Sequence, residues 1–203
     1  MPSDAAAGGV LPAVTLVLGG ARSGKSRHAE ALVERQPGAC LYLATAEPGD
    51  AEMAERIAAH KARRGQRWQT LEEPLDLVGA LGRAARPDGA VLVDCLTLWL
   101  SNLFGSSRDA ARESARLIDA LPGLAGPVVF VSNEVGLGIH PANALARRFV
   151  DEAGRLHQDL GQAAQSVIFM AAGLPLVLKA VGSRSPGESE SCDGAPHPST
   201  GSG

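Results

Sequence analysis

One contiguous stretch decides the fold, VTLVLGGARSGKSRHAEALVE, which runs from Val14 to Glu34. Its first part is a continuous apolar run, typical of a strand buried on both faces, and its last part has the spacing of an amphipathic helix. Between them, Gly19–Ser26 fits the pattern G-x-x-x-x-G-K-S/T. Glycines let the backbone turn tightly so that successive N–H groups point inward, and the helix N-terminus adds its dipole. The stretch therefore predicts a phosphate-binding turn between a buried strand and a helix.

The lysine and serine that close this turn have separate expected roles. Lys25 would reach the β- and γ-phosphates of a nucleoside triphosphate, and the Ser26 hydroxyl would ligate Mg²⁺. The alternative is a chance glycine turn, which the buried strand before it and the amphipathic helix after it disfavour. We therefore predict a bound triphosphate with Mg²⁺ as cofactor. The residues expected to surround the phosphates are Gly19, Gly20, Ala21, Arg22, Ser23, Gly24, Lys25 and Ser26.

Outward from this turn, short apolar runs alternate with amphipathic stretches along most of the chain. Continuous Val/Ile/Leu runs with helices between them are typical of a parallel sheet covered on both faces. The predicted fold class is α/β, a doubly wound, mostly parallel sheet of the P-loop NTPase (RecA-like) type. The predicted strands are 13–18, 39–45, 89–94, 126–133, 165–173 and 174–179. The predicted helices are 24–36, 50–64, 72–86, 106–121 and 141–162.

Length and composition fit one domain with a sizeable core. The chain has 203 residues, of which 45% are hydrophobic and 20% charged, which is ordinary for a globular protein. We assign the nucleotide-binding catalytic domain to residues 13–181, after a flexible start at 1–12. The Gly/Ser/Pro-rich stretch 182–203 has almost nothing to bury and is predicted to be a disordered tail.

Charge, hydropathy and cysteine usage limit which binding partners and which cellular compartment we expect. A net charge of −3 gives no electrostatic reason to expect nucleic acid or an anionic membrane surface. No segment reads as a membrane span, and the start lacks the basic region of a signal peptide. Cys40, Cys95 and Cys192 are scattered without zinc-site spacing, and the first two lie in apolar surroundings typical of buried thiols. These features favour a reducing cytoplasm.

The polar ends of two later strands are further candidates for the site. Asp94 closes an apolar strand expected beside the turn, where a carboxylate would hold Mg²⁺ or a water bound to it. The alternative is an N-cap for the following helix, and the presence of the turn favours the magnesium or nucleotide role. Asn133 and Glu134 begin a glycine-rich loop at a strand end, where α/β enzymes build their sites. A turn leading into a capped helix explains that pair equally well, so both alternatives stay open.

A histidine stands on a predicted helix with a basic face. Arg56, His60 and Arg63 or Arg64 recur at i, i+4 and i+7 or i+8. Flanking cations disfavour protonation of a histidine, and neutral imidazole is a competent nucleophile toward phosphorus. The arginines could then stabilise the phosphoryl oxygens. A solvated basic helix face explains the same pattern, so periodicity alone does not make His60 catalytic.

Together, these segments resemble the bifunctional adenosylcobinamide kinase/adenosylcobinamide-phosphate guanylyltransferase family of cobalamin biosynthesis. The resemblance covers nearly all of residues 14–180. Its most specific parts are RI-x-x-H, VD-C-L-T-L-W-L-x-N and NEVG-x-GI-x-P, which occur here in the family's order. The other shared segments are GGARSGKSRHAE, YLATAE and W-Q-T-L-E-E-P.

The resemblance implies two reactions at overlapping sites. In the first, ATP or GTP gives its terminal phosphoryl group to the aminopropanol hydroxyl of adenosylcobinamide. In the second, GTP guanylylates an enzyme histidine with release of pyrophosphate, and the GMP then passes to adenosylcobinamide phosphate, giving adenosylcobinamide-GDP. The resemblance also implies a homo-oligomer, a trimer in the family.

Carried onto this sequence, the resemblance makes His60 the guanylylated residue and Lys25 the second catalytic residue. Some relatives carry adjacent histidines in this helix, whereas Ala59 precedes His60 here, so one nucleophile is available. The alternative is a P-loop small-molecule kinase or NTPase without guanylyltransferase activity, or a GTP-binding module without turnover, in which His60 is a surface residue. Besides the turn, the residues implied to surround GTP are Ala44, Thr45, Ala46, Lys61, Ala62, Arg63, Arg64, Glu72 and Asp94.

Overall fold

A computed structural model describes residues 10–46 and 65–181 of the chain. Its described part contains one sheet of seven strands in the order β3-β2-β4-β5-β1-β6-β7. Strands β1 to β6 are parallel to their neighbours, and β7 is antiparallel to β6. The strands are β1 Val14–Gly19, β2 Ala39–Ala44, β3 Trp68–Glu72, β4 Gly89–Asp94, β5 Val128–Asn133, β6 Ser166–Ala171 and β7 Leu174–Lys179. The predicted fold class, α/β with a doubly wound, mostly parallel sheet, is confirmed.

Helices connect the strands and cover both faces of the sheet. One face carries α1, whose Ala29 and Val33 are fully buried against β1, β2, β4 and β5. The other four helices pack on the opposite face, where Trp99 and Phe130 are among the fully buried side chains. The helices are α1 Lys25–Glu34, α2 Leu77–Ala84, α3 Leu96–Gly105, α4 Ala110–Ala120 and α5 Ala144–Ala163, with a 3₁₀ turn at Leu121–Gly123.

The central strands are buried because neither face of them meets water. Every residue of β1 is buried, and β4 and β5 are exposed only partly and only at their ends. This is why their sequences are continuous apolar runs rather than alternating ones. The two tryptophans also pack rather than stack on a base. Trp99 is fully buried, and Trp68 meets Tyr42 edge to face at 6.4 Å between ring centroids.

Two elements differ from the sequence prediction. Strand β3 was not predicted, and helix α3, expected only as the element after Asp94, occupies ten residues immediately after β4. Several ends are also shorter than predicted, such as α5, which begins at Ala144 with Asn143 as its cap rather than at Pro141. Within the described ranges, no helix is both long enough and apolar enough to cross a membrane.

The predicted domain boundaries fall largely outside the described residues. Residues 1–9 and 182–203 are outside them, as is the predicted helix 50–64 and with it His60. Leu11, near the predicted start of the domain, is buried, and its N–H donates to Gln36 Oε1 at 3.2 Å. The division into a flexible start, a catalytic domain and a tail stays a prediction.

Candidate active site

The phosphate-binding turn joins β1 to α1 as the sequence predicts. Gly24 is the N-cap of α1 and has a φ of 93°, a left-handed conformation that favours glycine. At the other end, a side chain on Gly19 would place its Cβ 2.6 Å from the Met170 carbonyl oxygen and from Ser23 Oγ. Both positions therefore require glycine. The turn itself is closed by a hydrogen bond from Ser23 N to the Gly20 carbonyl at 3.3 Å.

Neighbouring strands hold this turn in place. Glu134 N, just beyond the end of β5, donates to the Gly19 carbonyl oxygen at 3.0 Å. On the other side, Gly173 N donates to the Ser23 carbonyl oxygen, also at 3.0 Å, from the turn between β6 and β7. The turn is thus fixed at both flanks by backbone hydrogen bonds.

Two polar groups of the turn are suited to an anion. Lys25 is only 8% exposed, and its Nζ donates to the Gly20 carbonyl oxygen at 3.0 Å, so the ammonium lies across the turn. Ser23 Oγ is buried and has no hydrogen-bond partner among the described residues. Because a buried hydroxyl without a partner is unfavourable, this group fits a bound oxygen acceptor. A phosphate oxygen meets that requirement.

The other described candidates line the carboxyl edge of the same sheet. Ala44 is in register with both Asp94 on β4 and Glu72 on β3, so the three form a row across neighbouring strand ends. The strand order separates Asp94 from Gly19 by two strand spacings and Glu72 by four, about 10 Å and 19 Å at about 4.8 Å per strand. The expectation that the Asp94 strand directly adjoins β1 is wrong, because β5 lies between them. Sequence order does not reveal which strands are neighbours.

Asp94 does not cap the following helix. The N-cap of α3 is Cys95, whose side chain makes no capping hydrogen bond, and the Asp94–Cys95 peptide bond is cis. The N-cap alternative is therefore excluded, which leaves the half-buried carboxylate facing the edge of the sheet. Its role toward magnesium stays a prediction.

A network of hydrogen bonds fixes the end of β2. The fully buried Thr45 hydroxyl donates to the Cys95 carbonyl at 2.7 Å and accepts from Cys95 N at 2.8 Å. Asn102 Nδ2 donates to the Thr45 carbonyl at 2.7 Å and to the Pro74 carbonyl at 3.2 Å. Three segments that are distant in sequence are thereby held together next to Ala44 and Glu72. Neither Asn102 nor the Thr45 hydroxyl could be assigned this role from sequence, since their partners come from other elements.

The pKa of the buried Cys95 thiol is shifted by its burial and by nearby charged groups. Burial raises its pKa, and the Asp94 carboxylate raises it further, while a hydrogen bond from Thr97 and the Lys25 ammonium act in the opposite direction. The thiol is therefore not a nucleophile at neutral pH. Cys40 is likewise a buried free thiol, as predicted for both.

At the end of β5 lie Asn133 and Glu134, for which the sequence left two alternative roles open. Asn133 is in register with Gly19, and its Nδ2 donates to Thr97 Oγ1 at 2.9 Å. Beyond it, Glu134 lies 3.7 Å from His157 Nδ1, measured from Oε2. His157 was not predicted as a site residue, because only the packing of α5 against β5 brings it to this edge.

Five of the predicted site residues lie outside the described ranges, namely His60, Lys61, Ala62, Arg63 and Arg64. Within those ranges, no group of three or more His, Cys, Asp or Glu side chains is arranged to hold a metal ion. Magnesium in nucleotide sites is commonly held by one or two protein oxygens together with phosphates, so this finding is compatible with a ligand set of Ser26 and Asp94.

Comparison with known proteins decides the family. Residues 15–178 match the family model described as cobinamide kinase / cobinamide phosphate guanyltransferase. The chain belongs to this family. The matched residues include the turn, the Asp94 strand end and the Asn133–Glu134 strand end.

Named relatives agree with this assignment over almost their whole length. The bifunctional adenosylcobalamin biosynthesis protein CobP of Pseudomonas aeruginosa is 51% identical over 168 residues, covering 81% of this chain and 96% of the relative. The CobU proteins of Salmonella typhimurium and Escherichia coli, described by the same bifunctional name, are 43% and 40% identical, each covering 81% of this chain and 98% of the relative. A solved structure from Pyrococcus horikoshii, 9% identical, has a TM-score of 0.50 over 84% of this chain and 88% of that chain, a likeness of fold alone.

Proposed function

We propose that this chain catalyses both reactions for which its family is named, in adenosylcobalamin biosynthesis. It phosphorylates the hydroxyl of adenosylcobinamide with ATP or GTP, and it then transfers GMP from GTP to adenosylcobinamide phosphate. The observation that carries the proposal is the family match across 15–178, which spans an intact phosphate-binding turn. The family description names cobinamide and cobinamide phosphate as the acceptors, and the relatives' names support a bifunctional protein of adenosylcobalamin biosynthesis.

The turn binds the triphosphate tail in both reactions. Its backbone N–H groups and the buried Ser23 hydroxyl donate to phosphate oxygens, and the Lys25 ammonium neutralises their charge. Ser26 and Asp94 supply hard oxygen donors of the kind that Mg²⁺ prefers, and the metal would add charge neutralisation on the phosphates. Ser26 is half-buried in the first turn of α1, next to Lys25.

The nucleoside extends from the turn along the carboxyl edge of the sheet. Ala44, Thr45 and Ala46 lie at the end of β2, and Glu72 lies at the end of β3, in the direction away from β6. The hydrogen bonds of Thr45 and Asn102 keep this edge rigid, which favours a nucleotide held in one orientation. Lys61, Ala62, Arg63 and Arg64 complete the GTP contacts in this proposal.

In this proposal His60 is the nucleophile of the second reaction. Its imidazole attacks the α-phosphorus of GTP, a nitrogen–phosphorus bond forms, and the bond to the pyrophosphate oxygen breaks with the electron pair leaving on pyrophosphate. The acceptor phosphate then takes the GMP from the histidine. The covalent step divides one transfer into two displacements, so GTP and the corrinoid acceptor need not be bound at the same time. Arg63 and Arg64 stabilise the charge that develops on the α-phosphate.

Labelled GTP tests this function directly. We expect protein incubated with α-labelled GTP to retain label after denaturation, and protein incubated with γ-labelled GTP to retain none. The retained link should be acid-labile and base-stable, as for a phosphoramidate. A chain that binds GTP but never retains α-label would contradict the guanylyltransferase assignment. Cobinamide-dependent consumption of ATP would then separate a plain kinase from a binding module.

We also propose that the chain forms a homo-oligomer, a trimer as the family resemblance implies. The support is β7, an edge strand whose Leu174, Leu176, Val177 and Leu178 are each 57–71% exposed. Apolar edge strands favour pairing with another chain. Light scattering of the full chain is expected to give the mass of an oligomer, and a monomer at all concentrations would contradict this.

A cytoplasmic location without nucleic-acid partners remains a prediction from composition.

A further inference from the structure

The strand order assigns one carboxylate to the immediate neighbourhood of the phosphate-binding turn. Glu134 follows β5, which is hydrogen-bonded to β1, and its N–H donates to the carbonyl of Gly19, the first residue of the turn. The other acids that close described strands are farther away, since Asp94 lies two strand spacings from β1 and Glu72 four. At about 4.8 Å per strand, Glu134 is about one spacing from the turn. Its side chain is 22% exposed, so it is accessible to a bound substrate.

Two groups orient the Glu134 carboxylate. Oε1 accepts a hydrogen bond from Gly136 N at 2.6 Å, and Oε2 lies 3.7 Å from His157 Nδ1. The first contact is a hydrogen bond, and the second is a close approach beyond hydrogen-bond length. A carboxylate has about four acceptor positions, so Glu134 remains able to accept a further hydrogen bond or a proton.

His157 is itself fixed by a buried serine. Its Nε2 lies 2.7 Å from Ser132 Oγ, and the serine is fully buried while the histidine is 9% exposed. Burial lowers the pKa of His157, and the Glu134 carboxylate opposes that shift. Of the two tautomers of a neutral imidazole, the one with its proton on Nδ1 accepts from the serine hydroxyl at Nε2 and presents an N–H to the carboxylate. No step of the proposed function uses this row of three side chains, of which Ser132 and His157 are buried and Glu134 is partly exposed.

We propose that Glu134 is the general base of phosphoryl transfer and that His157 is the positioning residue for its carboxylate. The Glu134 carboxylate accepts the proton of the acceptor hydroxyl as that oxygen forms a bond to the γ-phosphorus. The bond between the γ-phosphorus and the β,γ-bridging oxygen breaks, and the electron pair leaves with the nucleoside diphosphate. This role rests on the proposed function, in that the acceptor is the hydroxyl of a cobinamide. Guanylyl transfer needs no such base, because its acceptor is already an ionised phosphate.

Separate assays of the two steps test the assignment. In Glu134→Gln we expect the kinase kcat to fall by about 10²- to 10⁴-fold, the range that a positioned general base contributes. The KM for ATP and the rate of GMP transfer to pre-phosphorylated cobinamide should stay close to those of the unmodified chain. Asp151→Asn is the matched control, because Asp151 is an exposed carboxylate on α5. A kinase kcat in Glu134→Gln within about tenfold of the unmodified value would overturn the proposal.

His157→Gln separates positioning from a merely structural role. A misplaced carboxylate is expected to lower the kinase kcat by about 10- to 10²-fold with the KM for ATP and the guanylyl step unchanged. Equal losses in both steps together with a lower Tm would show that His157 only supports the fold, and would overturn its part of the proposal. If the unmodified chain itself phosphorylates no cobinamide, the proposed function fails instead, which is a distinct result.

Discussion

Replacing Lys25 with alanine is expected to weaken triphosphate binding by about 10- to 100-fold and to impair both activities. Lys25 is 8% exposed at the start of α1, with its ammonium lying across the turn on the Gly20 carbonyl. A hydrogen bond to a charged group contributes about 1.5–3 kcal/mol, which gives this range of affinity. Calorimetric titration with GTP measures the affinity, and the increase in Tm caused by GTP should shrink in parallel because it follows the same binding constant.

Lys179 offers a matched control for this substitution. Its ammonium also donates to backbone carbonyls, those of Gly161 at 3.2 Å and Gln162 at 2.8 Å, but it lies on β7. Lys179→Ala therefore removes the same kind of contact without touching the turn. We expect it to leave GTP affinity unchanged. If the two variants bind GTP equally well, the turn does not bind the triphosphate.

The elements that the sequence predicts well are those buried on both faces. Strand β1 is buried at every position, so its apolar run is uninterrupted. Strand β3 has no such continuous apolar run, because among the described strands it pairs only with β2, at the edge of the sheet, and most of its length in WQTLE is exposed. Helix α3 is hard to predict for the opposite reason. Its sequence LTLWLSNLFG is apolar on nearly every side and therefore shows no helical period.

The candidate site likewise has one part that the sequence predicts and another that it does not. The turn is contiguous in sequence, so residue type and spacing are enough to find it. The contacts that orient the rest join residues far apart, such as Thr45 with Cys95, 50 positions away, and Ser132 with His157, 25 positions away. Such pairs depend on strand order and helix packing, which periodicity does not encode. His157 in particular has the apolar-face spacing of an ordinary core residue of α5.

His60→Ala is expected to abolish guanylyl transfer while leaving the kinase step near its unmodified rate. Alanine has no nucleophile, and Ala59 precedes it, so no neighbouring histidine can take over. The loss should exceed about 10³-fold, since removing the nucleophile blocks the covalent route completely. The measurements are retention of α-labelled GMP on the denatured protein and formation of adenosylcobinamide-GDP from the phosphorylated acceptor. Phosphorylation of adenosylcobinamide is followed separately.

The contrast between His60→Ala and Lys25→Ala decides whether one nucleotide site serves two reactions. In the proposed function, Lys25 holds the phosphate tail for attack at either the γ- or the α-phosphorus, so its loss should affect both steps. In the same proposal His60 acts only at the α-phosphorus, so its loss should affect one step. If His60→Ala loses both activities with its Tm unchanged, the roles are not separate and the histidine contributes to nucleotide binding. If it still retains α-label, another side chain is the nucleophile, and the basic face around His60 is only a solvated surface.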